Sequence, residues 1–116
     1  MTTSGTTFKL TEIVLIPFPF TDLSTLKKRP VLIITNPDRF NDFMAIPLTS
    51  QEGHESSVKL FKDDLIKGEL PKSSWIRTDK IFTFNTEIII GRIAELKTDT
   101  FIDIKNNVCT SLGCCK

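Results

Sequence analysis

The sequence predicts a mainly β domain: a small, partly open antiparallel barrel that ends in one α-helix. Three observations carry this expectation. Short apolar or β-branched runs recur along the chain, each closed by turn-forming residues. Apolar residues at helical spacing occur late, at Phe101, Ile104 and Val108. With 116 residues, the chain has the length of a single domain with one modest core. Strands in series followed by a late helix suit such a barrel.

The elements follow in order. Residues 12–18 (EIVLIPF) read as a strand, and Pro17 and Pro19 make it end or reach an edge there, because proline donates nothing to a ladder. Residues 21–26 form a loop with Asp22 and Ser24 as turn formers. Residues 31–35 (VLIIT) are a β-branched run, read as a buried strand, and Asn36-Pro37-Asp38 is a turn. Residues 43–48 (FMAIPL) make a third strand, followed by a polar turn around Gly53. Residues 57–61 are a candidate fourth strand, and 62–67 (KDDLIK) a short helix or turn stopped by Gly68. Pro71 opens the next unit. In residues 75–84 (WIRTDKIFTF) neither alternating face is cleanly apolar, so a bulge or twist is expected in the middle. Asn85-Thr86 turns into a strand over 87–94 (EIIIGRIA). Thr98 and Asp99 are N-cap candidates for the final helix.

Composition narrows the class. A hydrophobic content of 40% and a charged content of 25% are ordinary for a globular protein. The formal net charge of +1 argues against a strongly cationic polyanion binder, although a local patch matters more than the sum. Charge is mildly segregated. Residues 22–39 hold Lys27, Lys28, Arg29 and Arg39 against Asp22 and Asp38, whereas 52–69 hold three lysines against five acids. The start, MTTSGTTFKL, is polar and lacks the apolar core of a signal peptide, and no apolar run approaches the ~18 residues of a membrane span. The expected setting is the cytoplasm. Cys109, Cys114 and Cys115 have no C-x-x-C spacing and no second Cys/His cluster, which argues against zinc and for thiols in a reducing compartment. The expected layout is a flexible leader over 1–10, one domain over 11–112 and a Cys-containing tail over 113–116.

Several residues are able to carry chemistry. Arg29 closes the basic knot Lys27-Lys28-Arg29, and Pro30 holds it in an extended backbone conformation. Its planar fork suits a phosphate, with bidentate, charge-assisted contacts. The bland alternative is a solvated strand-edge arginine. Thr49 and Ser50 end a strand, where their hydroxyls either donate to a phosphate oxygen or cap their own turn. Gln51 is equally ambiguous. His54 is the one side chain with an ordinary pKa near neutrality, so it is an acid–base candidate or an idle loop residue. Trp75, Arg77 and Lys80 mix an aromatic face with cations, a combination that grips single-stranded nucleic acid; equally, Trp75 fills the core and the cations are solvated. Asp63-Asp64 reads as a solvated acidic face rather than a metal site. The sequence contains no Gly-rich phosphate loop, H-E-x-x-H or G-x-S-x-G.

In order along the chain, IVLIPFPFTDLS, KKRPVLIIT, AIPLTSQ, LPKSSWIRTDKIFTF and IIIGRIAEL resemble the MazF/PemK family of bacterial toxins, in particular its PemK-like branch. The resemblance runs from Thr11 to Leu112. It implies a small SH3-like barrel with a C-terminal helix, a homodimer, and a sequence-specific, metal-independent endoribonuclease that cuts single-stranded RNA at short sequences. It matches Arg29 to the family's R-P arginine and Thr49, with Ser50 and Gln51, to its T-S-Q block, the positions used for catalysis. It implies no cofactor and a cognate antitoxin whose acidic segment occupies the RNA groove, while the charge and aromatic character of Lys27, Lys28, Trp75, Arg77 and Lys80 make these the expected RNA contacts. One departure is visible. The family commonly starts its first strand with Gly-Asp or Gly-Glu, whereas Thr11-Glu12 stands here and the glycine is lost. Two other readings compete: a CcdB-like toxin that binds gyrase without catalysis, and a catalytically weak RNA-binding relative.

Overall fold

The computed structural model describes residues 7–19, 26–53, 55–70 and 72–113. The leader up to residue 6, the loop with Asp22 and Ser24, His54, Pro71, Cys114 and Cys115 lie outside the described residues. Eight strands form one curled antiparallel sheet, a half-barrel closed by a helix. They are β1 (Glu12–Pro19), β2 (Leu26–Ile33), β3 (Asp42–Thr49), β4 (Ser57–Leu60), β5 (Leu65–Gly68), β6 (Ser74–Arg77), β7 (Phe82–Asn85) and β8 (Gly91–Leu96), followed by α1 (Thr98–Leu112). The order across the sheet is β4-β6-β3-β2-β1-β8-β5, with β7 also against β3.

The expected architecture of strands and one late helix is the observed one. The near-continuous apolar runs in β1, β2 and β3 have a plain cause: both faces of these strands are covered. On one face Ile13, Leu32, Ile46 and Leu48 pack with Phe101, Ile104 and Val108 of α1. On the other, Val14, Ile16, Val31, Ile33, Phe43 and Ala45 form a second cluster, over which Phe82, Phe84 and Ile89 fold. Successive side chains alternate between the two, as strand geometry requires.

Element limits differ from the sequence reading in five places. The basic knot does not precede β2 but lies inside it, because β1 supplies partners as far as Phe18↔Lys27 and Pro19↔Leu26. Pro17 and Pro19 are tolerated because β8 accompanies β1 only over Glu12–Leu15, so the far half of β1 is an edge on that side. After a single 3-10 turn at Lys62–Asp64, residues 65–68 form a strand beside β8. Residues 75–84 break into β6 and β7 rather than bulge: the buried Thr78 turns the chain by donating its N–H to Ser56 O at 2.9 Å and its hydroxyl to the same oxygen at 3.2 Å. The strand expected over 87–94 starts at Gly91, after a 3-10 turn at Thr86–Ile88. Helix α1 has Lys97 at its N-cap, with Thr98 and Asp99 already inside its first turn.

The lost glycine at the head of β1 has a structural counterpart. Thr11 takes a left-handed φ of 81°. Its N–H donates to Ile33 O at 3.1 Å, and its carbonyl accepts from Leu96 N–H at 2.9 Å, so this strained residue ties β1 to the ends of β2 and β8. Beside it the buried Glu12 accepts from Lys9 N–H at 2.9 Å and pairs with Arg92 Nε at 2.8 Å. Among the described residues no helix is long and apolar enough to cross a membrane.

Candidate active site

Strands β2 and β3 pair at Ile33↔Ala45, Leu32↔Ile46 and Val31↔Pro47, and there the ladder stops. Pro47 and Pro30 flank the stopping point, and neither has an N–H to continue it. Beyond it, β3 pairs only on its other edge, with Leu48 against Ile76 and Thr49 against Trp75 of β6. The two strands part, and a groove of about 440 Å³ opens between them. Extending the β2–β3 register by two residues brings Arg29 level with Thr49.

The groove is lined by Lys28, Arg29, Thr49, Ser50, Lys72 and Ser74 over an apolar floor that includes Leu15, Leu48 and Ile93. Its polar lining is thus cationic and hydroxylic, and among the described residues no carboxylate lines it. Arg29 is half-buried and its Nε is withdrawn from solvent. A guanidinium beside apolar walls acts on an anion through a lower effective dielectric than it would in water. Lys28 is exposed at the rim.

Thr49 does what the bland alternative expected: its Oγ1 accepts from Gln51 N–H at 3.1 Å, capping the turn. That use leaves the chemical one intact. A hydroxyl has two acceptor positions and one hydrogen, so the accepted bond orients the oxygen while its own hydrogen can donate to a phosphate oxygen. Ser50 and Gln51 are exposed, Ser50 on the groove and Gln51 contributing the backbone N–H just described.

Trp75, Arg77 and Lys80 do not line this groove. Trp75 is half-buried beside Thr49 in the β3–β6 register, and the Lys59 ammonium sits 5.4 Å from its ring centre. Arg77 stands across from Ser57 on β4 and holds Asp79 bidentately, Nε to Oδ1 at 3.1 Å and Nη2 to Oδ2 at 3.0 Å. This hydrogen-bonded guanidinium holds the Asp79 carboxyl below its ordinary value of 3.8. Lys80 is exposed in the following turn. Among the described residues, no three or more His, Cys, Asp or Glu side chains gather where a metal ion would be held.

Sequence reasoning missed Lys72 and Ser74. They sit in the polar stretch LPKSSW, where no periodicity marks them. The only signal is long-range: the β3–β6 register, carried one residue on, sets Ser74 level with Ser50. Ser74 is buried, and its hydroxyl donates to Lys72 O at 3.0 Å, which fixes the backbone that carries Lys72.

The chain is similar to known proteins along most of its length. A family model described as "PemK-like, MazF-like toxin of type II toxin-antitoxin system" matches residues 9–112. No curated protein matches its sequence closely. Among solved structures, an endoribonuclease in complex with its cognate antitoxin from a mycobacterial species is 18% identical with a TM-score of 0.74, over 93% of this chain and 97% of that one. A MazE-MazF structure from Deinococcus radiodurans is also 18% identical with a TM-score of 0.74, over 93% and 98%. The Mycobacterium tuberculosis toxin MazF-mt6 is 18% identical with a TM-score of 0.67, over 90% and 99%. At such identity these structures establish the fold, whereas the family match spans nearly the whole domain: this chain belongs to the PemK-like, MazF-like toxins of type II toxin–antitoxin systems.

Proposed function

We propose that this protein is an endoribonuclease that cuts single-stranded RNA without a metal ion, leaving a 2′,3′-cyclic phosphate and a 5′-hydroxyl. The observation that carries the reading is the opening between β2 and β3, which brings Arg29 and Thr49 to one groove with cations and hydroxyls along its polar lining. RNA carries its own nucleophile. The 2′-hydroxyl loses its proton and its oxygen bonds to phosphorus, the bond to the 5′-oxygen breaks, and the leaving oxygen takes a proton. The protein has to align the two oxygens and stabilise the charge that develops on the phosphorane.

Arg29 is assigned to that charge. Thr49 is assigned a hydrogen bond to a non-bridging oxygen, with Ser50 as auxiliary. An arginine is a poor proton mover, since its guanidinium holds its charge throughout the working pH range. Part of the proton traffic therefore falls to other groups, among which His54 remains the sequence-level candidate. The fold shared with an endoribonuclease solved with its cognate antitoxin supports the activity and an antitoxin partner; the groove's cationic lining supports competition by the partner's acidic segment for that groove.

A homodimer belongs to the same reading. Ile102 and Leu112 are 48% and 64% exposed on α1, apolar surface that a second copy could cover. Light scattering at micromolar concentration should report twice the chain mass, and a monomer there contradicts it.

The test is to incubate the pure protein with single-stranded RNA in excess chelator and map the product ends. Cyclic-phosphate and 5′-hydroxyl ends are expected. Activity lost in chelator and restored by magnesium refutes the metal-free mechanism. Intact RNA with inhibited gyrase moves the function to the CcdB-like class, and RNA that is bound but not cut moves it to a weak relative.

A further inference from the structure

A second cavity, of about 280 Å³, adjoins the groove, and Lys72 lines both. Its other walls include Phe61, Glu69 and Leu70. We propose that this cavity receives one unstacked base of the RNA next to the phosphate held at Arg29 and Thr49, with Phe61 as stacking platform, Lys72 on the intervening phosphate and Glu69 reading the base edge. This rests on the nuclease reading and adds a subsite to it.

Phe61 is the reason. Its ring is 60% exposed, yet its backbone is held firmly. Its N–H donates to Asp64 Oδ2 at 2.7 Å, and its carbonyl accepts from Asp64 N–H at 2.9 Å. Asp64 is itself fixed to the head of α1, accepting from Thr100 Oγ1 at 3.1 Å and, through its carbonyl, from Lys97 N–H at 2.8 Å. A large ring kept in water on a clamped backbone is pre-organised for a flat, apolar partner.

The ring is also joined to the groove by a second path. Directly opposed residues of an antiparallel pair share a face, which puts Thr49, Trp75 and Lys59 in one row across β3, β6 and β4. The Lys59 ammonium lies 5.4 Å from the ring centres of both Trp75 and Phe61. Aromatic rings interleaved with lysines are the composition that binds single strands, because every base has a π-face. The volume lies at the small end of ligand pockets and suits one base rather than a chain segment. The Glu69 carboxylate accepts hydrogen bonds only, so it favours a base that presents an exocyclic amine over uracil.

The experiment measures binding of a labelled single-stranded RNA to the full-length protein across a salt series, alongside product-end mapping. Phe61→Ala should weaken binding roughly 5- to 100-fold, with the salt slope unchanged. Phe61→Trp should retain it, which separates stacking from damage to the fold. Lys72→Gln should lower the slope of log K against log salt by about 0.7, one single-strand phosphate contact. An abasic nucleotide beside the cleaved bond should weaken binding to the wild type but not further to Phe61→Ala. Glu69→Gln should relax the base preference at that one position. Wild-type affinity, slope and cleavage pattern in both Phe61→Ala and Lys72→Gln would overturn the subsite and leave the nuclease reading standing. Loss of antitoxin binding with RNA binding intact also overturns it, giving the cavity to the partner protein. A wild-type protein that binds no RNA refutes the nuclease reading itself.

Discussion

Replacing Thr11 by glycine should stabilise this protein. Thr11 sits at φ 81°, a region that costs an L-residue about 1–2 kcal/mol, with β-branched side chains at the upper end. It cannot relax away, because its N–H and carbonyl are both engaged, with Ile33 and Leu96. Glycine removes the clash but gains freedom in the unfolded chain, which offsets roughly 0.5–1 kcal/mol. The expected net gain is about 0.5–1 kcal/mol, or roughly 2–8 °C in Tm for a domain of this size. Thr11→Ala is the control: it keeps the Cβ and should recover less than half of the gain. Urea unfolding reads the difference as a raised midpoint at constant slope. A Thr11→Gly midpoint at or below wild type, or a Thr11→Ala gain as large, refutes the strain argument.

The other predictions concern the sheet edge, the groove and acid. Gly68→Ala should destabilise by about 1–3 kcal/mol and speed amide exchange along β5, since at φ 80° a Cβ would meet Ile93 O at 2.1 Å and Ala94 Cα at 2.7 Å, both backbone atoms. Arg29→Ala and Thr49→Ala should each slow RNA cleavage roughly 10²–10³-fold in a protein that still folds, with Thr49→Ala also losing the cap on its turn. Arg29→Lys should also fail, because a point charge does not replace the fork. A wild-type cleavage rate in folded Arg29→Ala removes it from the site, and His54→Ala should have only a modest effect. The lowered Asp79 carboxyl stabilises the fold above the ordinary carboxylate range and loses that contribution as pH falls through its folded-state pKa, below 3.8. For so exposed a pair the effect is about 0.2–1 kcal/mol, and Asp79→Asn should flatten that part of a pH–stability profile. An unchanged profile contradicts the assignment.

What the sequence determined by itself was local. Strand character came from apolar runs, and the packed face of α1 from the spacing of Phe101, Ile104 and Val108, which are buried as that spacing requires. Arg29 and Thr49 were legible as candidates because Pro30 and a strand end mark them, and the missing glycine before Glu12 was visible as a departure. Where strands start and stop was less legible. Lysines at 27 and 28 have weak strand preference, yet they belong to β2 because β1 runs alongside; Glu87 and Ile88 look like strand, yet they turn.

Only the tertiary structure decided which candidates meet. Arg29 and Thr49 come together because prolines on neighbouring strands end one ladder and β3 changes partner to β6. The same change brings in Lys72 and Ser74, which nothing nearby in the chain announces, and sets Arg77 on Asp79 away from the groove. Side-chain type and local period are properties of a few consecutive residues and can be read from them. Register between strands distant in sequence depends on the closure of the whole sheet, where a shift of one residue would turn every side chain to the opposite face.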